Sequence, residues 1–345
     1  MHPGNQIMCA QQAAFHPAVA GNTIHIFNGF LNPYGGSELE ALSLFKLLRD
    51  KADVHLWATS SRVSPQLTKA FPIRRVAPHK GLLPDGGNYV FVGAHWRNKF
   101  WPYLVRKPRR LIYVYNTFHP KVVALTSRMP RLLRWPRTEY VVISEFQKTL
   151  AGVEGQVHPS PIDIGQFVPA APAPRAMDGA VIVGRMSRDT ADKHHPDDIP
   201  LYAALAHRGC EIRLQGASCI ADRLPQSERI HVYPEGRFPA AQFLQELDIF
   251  YYRTGVHVET FGRVVFEAMA CGLPVVCHSH GGYADSIRHG ENGFLFDTAE
   301  QASEILDQLI ANPDLRAQVG KAARETVETL YSPASQHDRL AFYLG

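Results

Sequence analysis

The chain has 345 residues, of which 45% are hydrophobic and 20% are charged, so a packed globular protein is predicted and disorder is excluded for the chain as a whole. The net charge of +4 is unevenly divided, because residues 1–170 hold 20 Lys and Arg against 9 Asp and Glu, whereas residues 171–345 hold 16 against 23. Two halves of opposite sign predict two domains with different partners.

In the first half, residues 23–30 (TIHIFNGF) are predicted to form a buried strand, followed by the glycine-rich loop NPYGGSE and a helix at 38–51. Further apolar strands are predicted at 53–59, 89–94, 111–115 and 139–143. Strands that alternate with helices and are apolar along most of their length are typical of a parallel, doubly wound α/β sheet.

Residues 168–176 (VPAAPAPRA) contain three prolines and predict a stiff linker between two domains. Beyond it, strands are predicted at 180–183, 211–215, 230–233, 248–252 and 274–277, and helices at 199–207, 239–246, 261–271, 299–311 and 313–330. The predicted domains are therefore 1–167 and 177–332, with a last helical segment at 333–345.

The cysteines and the ends of the chain predict where the protein works. The five cysteines are far apart and include no CxxC pair, which disfavours a disulfide scaffold or a zinc ribbon and favours the reducing cytoplasm. The N-terminus does not have the pattern of a secretory signal, and no apolar run is long enough for a transmembrane helix. We therefore expect a cytoplasmic protein.

The most informative segment is ETFGRVVFEAMACGLPVVCHSHGG at 259–282. A helix is predicted from near Phe261 to just before Gly272, which places Glu259 in the entry loop and Glu267 two turns into the helix. Gly262 would let a ligand approach the helix N-terminus, whose free N–H groups favour an anion such as a diphosphate. Two carboxylates beside such an anion site suit the hydroxyl groups of a nucleotide-linked sugar.

This segment resembles the E-x7-E signature of retaining GT-B glycosyltransferases of family 4, the glycosyl transferases group 1. Further segments are similar to family motifs in the same order, although Asp285 stands where the family usually has Glu. They are GGSE (35–38), AHW (94–96), VISEF (142–146), SPIDIGQFVP (160–169), IVGRMS (182–187) and HGGYADSIRHGENGFLF (280–296). The resemblance spans about residues 23–345 and implies two Rossmann-like domains that face each other across a cleft, with residues 333–345 crossing back to the N-terminal domain.

The resemblance also implies roles for residues of the second domain. Glu267 would bind the nucleotide ribose and Glu259 the donor sugar, with backbone N–H groups near Phe261 and Gly262 assisting. A departing diphosphate needs positive charge. The family supplies it with an Arg after the first strand of the second domain and a Lys downstream, and it generally needs no metal ion or other cofactor. Arg185 and Lys193 match those positions; the loop between them is longer than usual, so Arg188 is a rival of Lys193.

On the first domain, Gly35 and Gly36 open the first helix, and their N–H groups could close over the diphosphate from the other side. The resemblance places a histidine of this domain near the reacting sugar. Here the corresponding strand end is VYNTFHP, so His119 and Asn116 compete for that place, and His95 is a third candidate.

Residues 86–138 contain no Asp or Glu but eleven Lys and Arg, interspersed with aromatic residues. Such a stretch suits an anionic membrane surface, reached through residues 96–137, or a phosphorylated acceptor. A basic face that packs on the acidic domain is the structural alternative, and nucleic acid is a weaker one.

The sequence therefore predicts a retaining, metal-independent glycosyltransferase that uses a nucleoside diphosphate sugar. Its predicted acceptor is a lipid-linked, lipopolysaccharide or cell-surface glycan, met in the cytoplasm or at the inner face of the membrane. Two alternatives remain open: a non-catalytic protein that binds sugar nucleotides, and an epimerase or phosphorylase on the same scaffold.

Overall fold

The structure is a computed structural model that describes residues 23–94, 96, 99–117, 120–170 and 179–345. These residues form two sheets, one built from the chain before the predicted linker 168–176 and one from the chain after it. Residues of the linker beyond Ala170 lie outside the described ranges. Neighbouring strands whose register is described run parallel in both sheets.

The first sheet has seven strands in the order β3-β2-β1-β4-β5-β6-β7. They are β1 (Thr23–Asn28), β2 (Asp53–Ala58), β3 (Ile73–Arg75), β4 (Asn88–Val92), β5 (Arg110–Tyr115), β6 (Thr138–Val142) and β7 (Gln156–Val157). The helices among them are α1 (Gly36–Leu48), α2 (Pro65–Ala70), α3 (Pro120–Leu133) and α4 (Glu145–Ala151). Because β1 lies between β2 and β4, the strand order reverses at its carboxyl end, where doubly wound sheets bind ligands.

The second sheet has six strands in the order β10-β9-β8-β11-β12-β13. They are β8 (Ile182–Met186), β9 (Glu211–Gln215), β10 (Ile230–Tyr233), β11 (Ile249–Tyr252), β12 (Val275–His278) and β13 (Phe294–Phe296). The helices are α5 (Asp198–His207), α6 (Ala240–Gln245), α7 (Arg263–Ala270), α8 (Ala299–Ala311), α9 (Pro313–Leu330) and α10 (Pro333–Leu344). Here the order reverses between β8 and β11, which places Arg185 and Tyr252 near the switch point.

The central strands of both sheets are buried on their two faces, as their apolar sequences predict. Every residue of β4 and of β11 is buried. A core of Leu201, Leu205, Ile212, Leu214 and Leu306, with others, packs α5 and α8 onto the second sheet. No helix in the described ranges has both the length and the apolar character needed to cross a membrane.

Contacts divide the chain into two compact units that differ from the two sheets. The first includes the described part of Met1–Val114 with Ala124–Glu139 and Leu344–Gly345, and the second includes Tyr115–Val123 and Tyr140–Tyr343. The predicted boundaries at 167 and 177 follow the sheets instead and stay a prediction. In the predicted segment 333–345, α10 packs its rings on His158, just after β7, and only the last two residues are grouped with the first unit.

Candidate functional site

The N-terminus of α7 is built around a glycine. Gly262 has φ +82°, a left-handed conformation, and a Cβ atom there would overlap the Tyr283 ring. The preceding residue, Phe261, stacks its buried ring on Phe266 with centroids 4.3 Å apart, so its side chain belongs to the core. That backbone N–H groups near Phe261 and Gly262 bind a ligand stays a prediction.

Glu259 lies just before this helix and is held by two side chains. Lys193 Nζ donates to Glu259 Oε2 at 2.6 Å, and the Tyr252 hydroxyl donates to the same oxygen at 2.8 Å. The Glu259 and Lys193 side chains are only 13% and 8% exposed. Burial alone would raise the pKa of the Glu259 carboxyl, but Lys193, His257 and these hydrogen bonds outweigh it and hold the pKa below its ordinary value. A carboxylate with one oxygen occupied is thereby fixed beside a cation.

Glu267 lies on α7 and is buried, but it is held far less tightly. Its nearest charged partner is Arg263, with Nη2 at 3.9 Å from Oε1, and no hydrogen bond from the described residues reaches its carboxylate. Burial raises the pKa of Glu267 above its ordinary value. The carboxylate oxygens are not sealed from solvent, so the hydroxyl groups of a ligand can reach them.

Arg185 is fully buried, in β8. Its guanidinium donates to the carbonyl oxygens of Arg253 at 3.0 Å and of Lys193 at 2.7 Å, and it lies 5.4 Å from the Tyr252 ring. Asp198 Oδ2 lies 3.7 Å from its Nη1. In this structure Arg185 therefore fixes the backbone that carries Lys193, and its contact with a phosphate stays a prediction. The rival Arg188 is only partly buried.

The glycine-rich loop of the first unit follows β1. Gly35 is the N-cap of α1, and a Cβ atom at Gly36 would meet nothing within 4 Å, so the backbone there is accessible. Glu38 does not cap the helix; its Oε1 accepts hydrogen bonds from Leu31 N at 3.1 Å and Asn32 N at 3.3 Å. Phe30 is buried at φ +50°, a conformation that a non-glycine residue rarely adopts and that needs support from its surroundings.

The three candidates near the reacting sugar have different outcomes. His95 and His119 lie outside the described residues. Asn116 is grouped with the second unit, where its carbonyl oxygen accepts from Thr260 Oγ1 at 3.2 Å, and its buried Oδ1 has no hydrogen-bond partner among the described residues. The structure therefore brings Asn116 to the loop that carries Glu259.

Tyr252 and Tyr283 are site residues that the sequence analysis missed. Their rings lie 5.9 Å apart, one beneath Glu259 and the other against Gly262. Both are buried, and Tyr252 closes an apolar strand, so the sequence marks it only as core. The one available signal was its position at the carboxyl end of a strand beside the switch point.

The histidines beside Lys193 have protein partners. His194 Nε2 lies 2.8 Å from the Gly216 carbonyl oxygen, and His195 Nε2 lies 3.1 Å from Arg253 Nη2. Across the described ranges, no group of three or more His, Cys, Asp or Glu side chains could hold a metal ion.

Comparison with known proteins places this chain among GT-B proteins. Residues 213–326 match the family model of the glycosyl transferases group 1. An N-acetyl-alpha-D-glucosaminyl L-malate synthase of Bacillus anthracis is 40% identical over 72 residues, which are 20% of this chain and 19% of the relative. The chain matches between 6% and 24% of the length of the curated relatives that it resembles.

Solved structures match over much more of the chain. Anabaena Alr3699/HepE, solved with UDP and glucose, aligns with a TM-score of 0.70 at 19% identity and covers 94% of this chain and 99% of its own. WaaG, a glycosyltransferase involved in lipopolysaccharide biosynthesis, aligns with a TM-score of 0.62 at 14% identity and covers 93% of this chain and all of its own (100%). The predicted fold class, GT-B, is confirmed.

Proposed function

We propose that this chain, whose residues 213–326 match the family model of the glycosyl transferases group 1, transfers a sugar from a nucleoside diphosphate sugar to a glycan acceptor. The observation that carries the proposal is the buried carboxylate of Glu267, which lacks a hydrogen bond from the described residues and lies on the helix that Gly262 opens. Ribose hydroxyls would supply the missing donors, as the resemblance implies. The HepE structure with UDP and glucose supports a donor of this class.

Charge on the departing diphosphate is the central problem of the reaction. We assign its stabilisation to Lys193 and to the N–H groups at the start of α7, because donors fixed in advance stabilise developing charge most effectively. Lys193 keeps further N–H donors beyond the one on Glu259. In this proposal the transfer retains the configuration at the sugar and proceeds without a metal ion.

The free oxygen of Glu259 is the group best placed for the donor sugar. Oε2 already accepts two hydrogen bonds, so Oε1 can receive a sugar hydroxyl without losing Lys193. Asn116, whose carbonyl oxygen accepts from Thr260, is proposed to lie beside the same substrate. Gly36 is proposed to contact the diphosphate through its backbone, because Gly35 is buried and its N–H already donates to the Asn32 carbonyl oxygen at 3.1 Å.

The acceptor is proposed to be a lipid-linked, lipopolysaccharide or cell-surface glycan, used in the cytoplasm at the inner face of the membrane. Two observations support it: the stretch at 86–138 that lacks carboxylates, and the likeness to WaaG. No nucleic acid partner is proposed.

Donor binding is the first test. We would measure thermal stabilisation by UDP-glucose, and then by other UDP, GDP and ADP sugars, for the wild type and for Glu267→Gln. The matched control is Glu325→Gln, which removes an exposed charge on α9. A shift that Glu267→Gln abolishes and Glu325→Gln keeps is expected. Failure of every donor to stabilise the wild type would overturn the proposal.

Turnover then separates the two alternatives. A glycosyltransferase releases the nucleoside diphosphate in proportion to the acceptor supplied. Conversion of the donor without acceptor would indicate an epimerase, and binding without any turnover would indicate a non-catalytic protein. Addition of a chelator is expected to leave turnover unchanged.

A further inference from the structure

The first unit presents an apolar, basic surface made by segments 99–107 and 131–137, here called the basic-aromatic surface. Its centre is a 3₁₀ turn at Trp101–Tyr103. Trp101 and Pro102 are buried, whereas Phe100 is 71% exposed, Tyr103 60% and Leu104 48%. The turn therefore buries one side and presents large apolar side chains to solvent on the other.

Buried tryptophans hold the two segments together. Trp101 stacks on Phe27 with centroids 5.3 Å apart, and it lies 6.2 Å from Trp135, just beyond α3. Arg134, at φ +53°, ends that helix in the left-handed conformation. Leu132 beside it is 70% exposed. The exposed apolar groups of both segments are thus mounted on one rigid aromatic cluster.

The cations of this surface are largely uncommitted. Arg106 pairs with Asp85 at 2.9 Å, and Lys99 donates to the Thr59 carbonyl oxygen at 3.1 Å. The side chains of Lys107, Arg131 and Arg137 are exposed and make no ion pair or hydrogen bond with other described residues. The segments themselves contain no Asp or Glu. The surface therefore carries uncompensated positive charge next to exposed apolar side chains.

We propose that the basic-aromatic surface docks on an anionic lipid bilayer, with Phe100, Tyr103, Leu104 and Leu132 entering the boundary between headgroups and acyl chains. Basic side chains attract anionic headgroups, and aromatic and leucine side chains bury apolar area at that boundary. Exposed leucines favour lipid over nucleic acid, because they offer no ring on which a base could stack. The inference rests on the proposed function in one respect: a lipid-linked acceptor gives the protein a reason to bind a bilayer.

The test is co-sedimentation of the full chain with phosphatidylcholine vesicles and with vesicles that also contain phosphatidylglycerol. Arg131→Gln with Arg137→Gln removes two cations of the surface. Arg75→Gln with Lys80→Gln is the matched control, because it removes two exposed cations of the same unit outside the surface. We expect the first pair to lower partitioning into anionic vesicles about thirtyfold and the control pair to change it less than about twofold.

Phe100→Ser with Leu104→Ser tests the apolar contribution. This variant is expected to bind anionic vesicles only at low salt, whereas the wild type keeps part of its binding at high salt, when charges are screened. Equal loss in the control pair would show a net-charge effect and overturn the proposal. So would binding of single-stranded oligonucleotides but not of vesicles.

Failure of this inference can be told apart from failure of the proposed function. None of the surface residues is proposed to contact the nucleotide sugar, so stabilisation by a donor should be unchanged in the surface variants. If donors stabilise the protein but vesicles do not bind it, only the docking surface is refuted. If vesicles bind through this surface and no donor stabilises the protein, the proposed activity fails and the docking surface stands.

Discussion

The hydroxyl of Tyr252 gives the sharpest test of the geometry around Glu259. Tyr252→Phe removes one oxygen atom, whose proton Glu259 Oε2 accepts at 2.8 Å, and leaves the ion pair with Lys193 in place. A hydrogen bond to a charged group contributes about 1.5–3 kcal/mol to stability. We expect the variant to lose about that much unfolding free energy at neutral pH and the pKa of the Glu259 carboxyl to rise towards its ordinary value, because the hydrogen bond favours the charged form.

The pH dependence of this loss follows from the direction of the pKa. The pKa of Glu259 is lowered in the folded protein, so its contribution is present above the ordinary carboxyl value of 4.5 and is lost as the pH falls through the folded value. The difference between wild type and Tyr252→Phe should therefore be largest at neutral pH. It should shrink in acid to about 0.5–1.5 kcal/mol, the contribution of a neutral hydrogen bond.

The assay must report on the second unit. All four tryptophans lie in the first, so hydrogen exchange of peptides that cover β11 and α7 is preferable to intrinsic fluorescence. Tyr251→Phe is the matched control, because it removes a hydroxyl that donates to Asp198 Oδ1 at the same distance, 2.8 Å. Tyr251→Phe should lower the free energy of unfolding without changing the affinity for the donor, whereas Tyr252→Phe should lower both. Unchanged protection of α7 in Tyr252→Phe at neutral pH would refute the reasoning.

Three further predictions concern the same unit. Gly262→Ala and Gly290→Ala both place a Cβ at φ near +80°, which costs about 1–2 kcal/mol. Only the Cβ at position 262 would also overlap a ring, so the melting temperature of Gly262→Ala should fall further than that of Gly290→Ala. Equal falls would contradict this. Glu267→Gln should leave thermal stability unchanged or higher and weaken nucleotide-sugar binding about tenfold by titration calorimetry; unaltered affinity would remove Glu267 from the site. Arg185→Lys keeps the charge but cannot donate to both carbonyl groups that Arg185 contacts. The free energy of unfolding, followed by circular dichroism, should therefore fall by about 1–3 kcal/mol. A variant that melts like the wild type would show that these contacts contribute little to stability.

Strong local patterns made much of the fold predictable. The strand at 211–215 and the helices at 299–311 and 313–330 are found with those bounds, because apolar periodicity and the caps Thr298 and Asn312 agree. β3, β7 and β13 were missed because two or three residues carry no periodicity. α3 was missed because Pro130 lies within it and many of its residues are polar or charged.

The site was predictable where backbone geometry and chemistry coincide in one segment. Gly262 and the two glutamates lie within nine residues, so the sequence located the start of α7 and its carboxylates together. The hydrogen bond that Glu259 accepts from Tyr252 comes from β11, and only the folded structure shows that the two side chains meet. Arg185 illustrates the converse, because its sequence position does not reveal that the guanidinium is turned inward onto carbonyl groups.

The parallel pairing of the strands has a consequence for how this protein is made. Parallel neighbours cannot be joined by a hairpin, so each pairing closes a long loop and folding is slow. β1, at the centre of its sheet, pairs with β2 and also with β4, where Ile24 meets Asn88. During translation one edge of this apolar strand stays unpaired until Val92 has left the ribosome, so the nascent chain is expected to need a chaperone during that interval.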